Sequence, residues 1–205
     1  MAEDELIDGP AGPLQVRAEG TTGPLCVIAH PHPLYGGTLD NKVVFTLAKA
    51  WRARGGRTLR FNFRGVGRSG GEHDAGTGEQ DDLAAVVGFG RSRSGGEPVC
   101  LAGFSFGAGV VARAADRLQA RHALLVAPPV GMSYFPDDPP RVPVAVVHGR
   151  RDDLVAVDGV RAWCQARSVA YRELEDADHF FHGQLPALGE ALSAHWDLLE
   201  RDPKA

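Results

Sequence analysis

A serine, a histidine and a carboxylate in the right mutual positions can pass an acyl group through the serine oxygen. This chain offers a serine in a setting suited to that work. Gly103-Phe104-Ser105-Phe106-Gly107 reads G-x-S-x-G, with the apolar run Pro98–Ala102 before it and the helix-compatible run Ala108–Arg113 after it. A buried strand that passes directly into a helix at this pattern is a nucleophile elbow. The turn forces the serine into a strained backbone conformation and demands very small neighbours two residues to either side. It lifts the hydroxyl clear of the sheet edge. It also sets the next backbone N–H, that of Phe106, where an oxyanion would develop. Without that context the pentapeptide would read as a structural turn, because the chain holds 26 glycines.

A serine needs a base, and the base needs an acid to orient it. In elbow-type sites they follow in the order Ser, Asp or Glu, His. After the apolar run Val144–Val147 comes His148-Gly149-Arg150-Arg151-Asp152-Asp153. This places a carboxylate at the C-terminal end of a strand, where sites of open parallel sheets lie. After Val169–Leu174 comes Asp176-Ala177-Asp178-His179-Phe180-Phe181-His182. Asp152 and Asp153 compete for the acid, and His179 and His182 for the base. Asp176 and Asp178 follow the last strand and read as caps or braces of the histidine loop.

The elements that position these residues alternate along the chain. Leu14–Glu19, Leu25–Ala29, Thr58–Phe63, His122–Ala127, Val142–His148 and Val169–Leu174 have strand character, most of them as continuous apolar runs. Asp40–Arg54, Asp81–Phe89, the stretch after the elbow to about Gln119, Val157–Arg167 and Leu185–Leu199 have helical character. Repeated β–α units with apolar strands predict a mostly parallel sheet covered by helices on both faces. One domain over residues 1–205 is expected, with about 1–12 as a loosely ordered N-terminal tail. Only the Pro-rich stretch Val130–Arg141 separates two strands where a lid could otherwise be inserted.

Composition narrows the function classes. Hydrophobic residues make up 43%, charged residues 23%, and the formal charge is −4. The scattered basic residues give no nucleic-acid footprint. No apolar run is long enough to span a bilayer, so no membrane partner is expected. The acidic start Met1-Ala2-Glu3-Asp4-Glu5 lacks the basic and apolar segments of a secretory signal. Cys26, Cys100 and Cys164 have no paired spacing and read as reduced core residues. A cytoplasmic location is the resulting expectation. Whether the chain is a monomer or a homodimer is left open.

These residues resemble the α/β-hydrolase superfamily across nearly the whole chain. His148-Gly149-x-x-Asp152 is similar to the family's acid turn, and Ala177-Asp178-His179-Phe180 to its histidine loop. The resemblance therefore favours Asp152 over Asp153 and His179 over His182. Asn62-Phe63-Arg64-Gly65-Val66-Gly67-Arg68-Ser69 resembles a D-x-R-G-x-G-x-S segment, with Asn62 in place of the usual acid. Solvated arginines are the expectation for Arg64 and Arg68. His30-Pro31-His32-Pro33-Leu34-Tyr35-Gly36-Gly37, with Asp40-Asn41-Lys42, resembles a group of small lidless bacterial members. It occupies the loop where the family keeps its second oxyanion donor. Proline has no N–H, so His32, Leu34 and Tyr35 remain, with His32 first by alignment to a His-Gly-x segment and Leu34 second.

The resemblance implies an α/β-hydrolase fold without a cap. It implies a Ser105, Asp152, His179 triad with Phe106 and His32 N–H groups in the oxyanion hole, and Leu34 and Tyr35 beside the substrate. Phe104, Phe106 and Tyr35 could line an acyl pocket, with core packing an equally good explanation for Phe104. A small-molecule acyl substrate and no cofactor are implied. His30 and His32 have an i, i+2 spacing, but they would alternate faces at a strand end and have no obvious third ligand, so a loop-shaping hydrogen bond outweighs a metal. The expected activity is hydrolysis of small or medium acyl esters. Thioester or small-amide and peptide hydrolysis is the alternative within hydrolases, and a non-catalytic binding protein is the alternative outside them.

Overall fold

The computed structural model describes residues 4–201. Its strands are β1 (Asp4–Ile7), β2 (Leu14–Glu19), β3 (Leu25–Ala29), β4 (Arg57–Phe61), β5 (Cys100–Phe104), β6 (Ala123–Val126), β7 (Val144–Gly149) and β8 (Ala170–Leu174). Its helices are α1 (Lys42–Ala53), α2 (Gly78–Ser92), α3 (Phe106–Ala114), α4 (Val157–Ala166) and α5 (Leu185–Arg201). All eight strands form one sheet in the order β1-β2-β4-β3-β5-β6-β7-β8. β1, β2 and β4 pair antiparallel, and every pairing from β4 through β8 is parallel.

Strand side chains alternate between two cores, as the period of two requires. Leu25, Val27 and Ala29 of β3 and Leu101 of β5 enter the core shared with α2, α3 and α4. Cys26 and Ile28 of β3 and Cys100, Ala102 and Phe104 of β5 enter the core shared with α1 and α5. Burial on both faces explains why these strands read as unbroken apolar runs. The three cysteines are buried.

Chain direction fixes where chemistry can occur. From β3 the chain crosses to β4 on one side, and β5 then lies on the other. This reversal opens a crevice beyond the C-terminal ends of β3 and β5, the switch point of an open α/β sheet. Ser105 follows β5, the His30–Gly37 loop follows β3, Asp152 follows β7 and His179 follows β8. The connection from 127 to 143 contains no helix or strand, and no cap covers this edge among the described residues.

Two expectations need correction. The loose tail over about 1–12 is in part strand β1, which pairs Asp4 with Arg17 and Ile7 with Leu14. Residues 1–3 lie outside the described residues. The elbow strand and helix are also shifted: β5 runs to Phe104 and α3 starts at Phe106, leaving Ser105 alone as the joint. Pro98 has no N–H for the ladder, so the strand begins later than its apolar run.

α1 starts on a built cap. The Asn41 side chain accepts from Val43 N–H at 2.9 Å and Val44 N–H at 3.4 Å. Replacing Asn41 with Ala is expected to cost about 1 kcal/mol, read as a lower urea midpoint with an unchanged slope.

Candidate active site

The elbow is tight enough to explain its sequence. Ser105 has φ +52° and ψ −118°, a conformation costly for a residue with a side chain. A Cβ on Gly103 would stand 2.4 Å from the Gly107 carbonyl oxygen. One on Gly107 would stand 2.5 Å from the His30 carbonyl oxygen. Neither distance is tolerable, so both flanks must be glycine. Ser105 N–H donates to Val126 O at 2.9 Å, which ties the joint to β6.

Across the sheet edge, His179 Nε2 lies 3.0 Å from Ser105 Oγ. His179 Nδ1 lies 2.7 Å from Asp152 Oδ2. A carboxylate accepts, so Nδ1 carries the proton and Nε2 is left to accept from the serine hydroxyl. Asp152 Oδ1 accepts from Leu154 N–H at 2.9 Å and Val155 N–H at 2.8 Å. The side chain is wholly buried. Burial pushes the Asp152 carboxyl upward, but the hydrogen bond and charge of His179, helped by Val155 N–H, outweigh it and hold the group below the ordinary carboxylate range. His179 is itself buried, with its ring 5.3 Å from Phe104 and 5.1 Å from Phe180.

The loop after β3 supplies backbone donors. Phe106 is the first residue of α3, and its N–H has no partner among the described residues. Of the three candidates in the loop, Leu34 N–H donates to His32 Nδ1 at 3.3 Å and Tyr35 N–H to His32 O at 3.1 Å. The His32 N–H has no partner among the described residues. The loop is shaped by His30, whose Nδ1–H donates to Pro31 O at 2.6 Å while Nε2 accepts from Phe63 N–H at 3.0 Å. Both His30 nitrogens are thus spent on backbone.

A family model described as serine aminopeptidase, S33, matches residues 36–141. That span contains the elbow and stops before the acid and histidine loops. A Coxiella burnetii protein described as an α/β serine hydrolase homologue is 41% identical, with a TM-score of 0.89 over 94% of this chain and 96% of that one. A Xanthomonas campestris α/β serine hydrolase described as lacking a lid is 38% identical, with a TM-score of 0.88 over 94% of this chain and 92% of that one. An uncharacterised Rickettsia prowazekii protein is 31% identical over 91% of this chain and 85% of its own length. The chain belongs to this family, within the α/β-hydrolase superfamily. These matches carry the coarse activity, hydrolysis, with them.

The rival residues of this hydrolase have other employment. Asp153 is exposed and has no partner among the described residues. His182 is exposed and its Nδ1 lies 2.7 Å from Asp178 Oδ2. Asp178 also accepts from Phe180 and His182 N–H groups, so it braces the histidine loop. Asp176 pairs with Arg151. Phe104 is core and backs the His179 ring. Leu34 and Tyr35 are largely in solvent, at 70% and 86% exposure, with the Tyr35 ring 4.7 Å from that of His32. Arg64 is not solvated: its guanidinium holds the buried Asp82 with two N–H groups and reaches Gly78 O at 2.6 Å. Asn62 uses both ends of its amide, accepting from Leu39 N–H and donating to Gln15 Oε1. A carboxylate could not make the second bond.

Three residues near the elbow escaped the sequence reading. Tyr134 lies with its ring 5.4 Å from that of Phe106. His73 lies 4.8 Å from His32 and 5.4 Å from Phe106, ring to ring. Its Nδ1 is 2.7 Å from the wholly buried Glu79. Nothing in the spacing H-D-A-G-T-G-E foretells that a loop would fold the acid against the histidine. A groove of about 800 Å³ between α1 and α5 is lined by none of these residues.

Burial lowers His30 to about 4, although its bond to Pro31 O opposes the shift. An unfolded histidine titrates near 6.5. Below that pH the unfolded chain takes up a proton that the folded chain refuses until about 4. The stabilisation is therefore complete above 6.5 and is lost as pH falls through this window. His30→Gln can keep one acceptor for Phe63 N–H and one donor for Pro31 O without titrating. Between pH 7 and pH 5 its unfolding free energy should fall by about 2 kcal/mol less than that of wild type, measured by urea titration at both pH values.

Proposed function

We propose that this hydrolase is a serine carboxylesterase acting on small or medium acyl esters. The supporting observation is the unbroken row from Asp152 through His179 to Ser105 Oγ, with separations of 2.7 and 3.0 Å. Ser105 Oγ attacks the ester carbonyl carbon while His179 Nε2 takes its proton. The carbonyl oxygen becomes an oxyanion facing the N–H groups of Phe106 and His32. The tetrahedral species collapses, the alcohol leaves with the proton from His179, and Ser105 keeps the acyl group. Water then attacks, gives its proton to His179, and the acid departs as Ser105 is restored. Asp152 stabilises the imidazolium in each half and holds the productive tautomer.

The open edge suits an acyl-enzyme that water must reach. A hollow of about 360 Å³ lies beside the histidine loop, next to Phe180, Phe181 and Lys42. A second reading, cleavage of small amides or peptides, is favoured by the description of the matching family as aminopeptidases. Holding a terminal ammonium requires an unspent carboxylate beside the serine. Glu79 is already used by two backbone N–H groups and His73.

Ser105→Ala is expected to lower turnover of an activated short-chain ester by about 10⁴–10⁶-fold, and an active-site fluorophosphonate should label wild type only. Unchanged turnover would remove the mechanism, and failure to label folded wild type would support a binding protein instead. Asp152→Asn should reduce kcat far more than Asp153→Asn, measured side by side. The reverse order would move the acid to Asp153. A panel of matched esters, thioesters and aminoacyl anilides separates the two substrate readings.

A further inference from the structure

The acid turn holds a histidine that the row from Asp152 to Ser105 does not use. His148 lies in β7, four residues before Asp152, and its side chain is wholly buried. Its Nε2 stands 3.2 Å from Val155 O and 3.5 Å from Asp152 Oδ2. Its Nδ1, also buried, has no partner among the described residues. These neighbours fix the proton. Val155 O and the Asp152 carboxylate both accept, so the ring proton stands on Nε2 and is donated to Val155 O. A second proton would put an N–H at Nδ1 with nothing to receive it, which is costly in an interior. Burial likewise pushes the ring toward its neutral form, although the Asp152 charge and the bond to Val155 O oppose the shift. His148 is therefore a neutral donor aimed into the acid turn.

The residue it holds is the one that sets the carboxylate. Val155 is buried, and its N–H donates to Asp152 Oδ1 at 2.8 Å while its carbonyl receives His148. Leu154 N–H is the second donor to Oδ1, at 2.9 Å. With Oδ1 taken by backbone, Oδ2 is the oxygen that meets His179 Nδ1, at 2.7 Å. Inside the turn the Asp152 N–H reaches Gly149 O only at 3.3 Å, a long bond. The orientation of the carboxylate therefore depends on Leu154 and Val155, and His148 is the side chain that ties Val155 to the strand. The linkage runs from β7 through His148 and Val155 to Asp152, and from there to His179 and Ser105.

We propose that His148 is a positioning residue of this site: by donating its Nε2–H to Val155 O, beside Asp152 Oδ2, it fixes the turn that aims the carboxylate at His179. It touches no substrate and moves no proton. Its effect on turnover rests on the esterase reading, whereas its effect on the Asp152–His179 bond does not.

The test compares two variants of similar length, using 4-nitrophenyl butyrate as substrate. His148→Gln keeps a side-chain N–H close to the place of Nε2, and His148→Met has no donor. His148→Met should lower kcat about tenfold or more and leave KM within about twofold, and His148→Gln should stay within about threefold of wild type. A role in packing alone predicts the reverse order, because Met suits a buried site better than Gln. Equal kcat in the two variants, or a lower value for His148→Gln, would overturn the proposal. The proton that His179 Nδ1 shares with Asp152 gives a downfield proton resonance that needs no substrate. It should weaken or move in His148→Met and hold its place in His148→Gln, and a resonance unmoved in His148→Met would overturn the proposal. One measurement needs no variant: histidine-ring nitrogen–proton correlation spectra of wild type should show His148 as the Nε2–H tautomer, and the Nδ1–H tautomer would overturn the proposal. If wild type cleaves no ester while the resonance is lost in His148→Met, the positioning role stands and the esterase reading falls. Ester cleavage with kcat and resonance untouched by His148→Met would do the opposite.

Discussion

The contact between Gly107 and the ends of β3 governs this molecule. Helix α3 comes so close to the Ala29 and His30 carbonyls that no side chain fits at Gly107, and β5 folds back so sharply that none fits at Gly103. Only under those two conditions can Ser105 stand at φ +52° as a single-residue joint between strand and helix. The same closeness delivers the His30–Gly37 loop to the side of the serine. Backbone strain at the joint is sustained by the cores on both faces of β5, which are fully buried.

Two acid-imidazole pairs with buried carboxylates flank that joint. Asp152 meets His179 on the side of α1 and α5, and Glu79 meets His73 on the side of α2 and α3. In each, backbone N–H groups take up the remaining carboxylate lone pairs, which offsets the cost of burying the charge. The acid and histidine loops are also fastened to one another. Arg150 N–H donates to Leu174 O and Arg151 N–H to Ala177 O, both at 2.9 Å. These backbone bonds fix the Asp152–His179 distance more firmly than the exposed Arg150–Glu175 and Arg151–Asp176 pairs around them.

Much of this was legible in the residues. Strands buried on both faces announce themselves as apolar runs, and G-x-S-x-G announces its joint, because both follow from short-range sterics. The order Ser, Asp, His left Asp153 and His182 as rivals, and the resemblance pointed to Asp152 and His179, which the fold brings within hydrogen-bonding distance of one another and of Ser105. β1 was not legible: Asp4-Glu5-Leu6-Ile7 buries only Ile7, and its strand character comes from pairing with β2. The employment of Arg64 was hidden for a similar reason. Its partner Asp82 lies on α2, and nothing periodic in the sequence joins the two. His73 and Glu79 meet only because Glu79 binds the backbone of the loop between them, a three-dimensional closure with no linear signature.

The bare connection from 127 to 143 has a kinetic meaning. In capped relatives of such a fold, a moving cover can gate entry, trap the ligand and time its exit. Here nothing has to swing aside. On the proposed function, discrimination at Ser105 then depends on the resting shape and charge of the walls around it. A change of a single wall residue therefore acts directly on which ligands are held, with no opening equilibrium in between to absorb it.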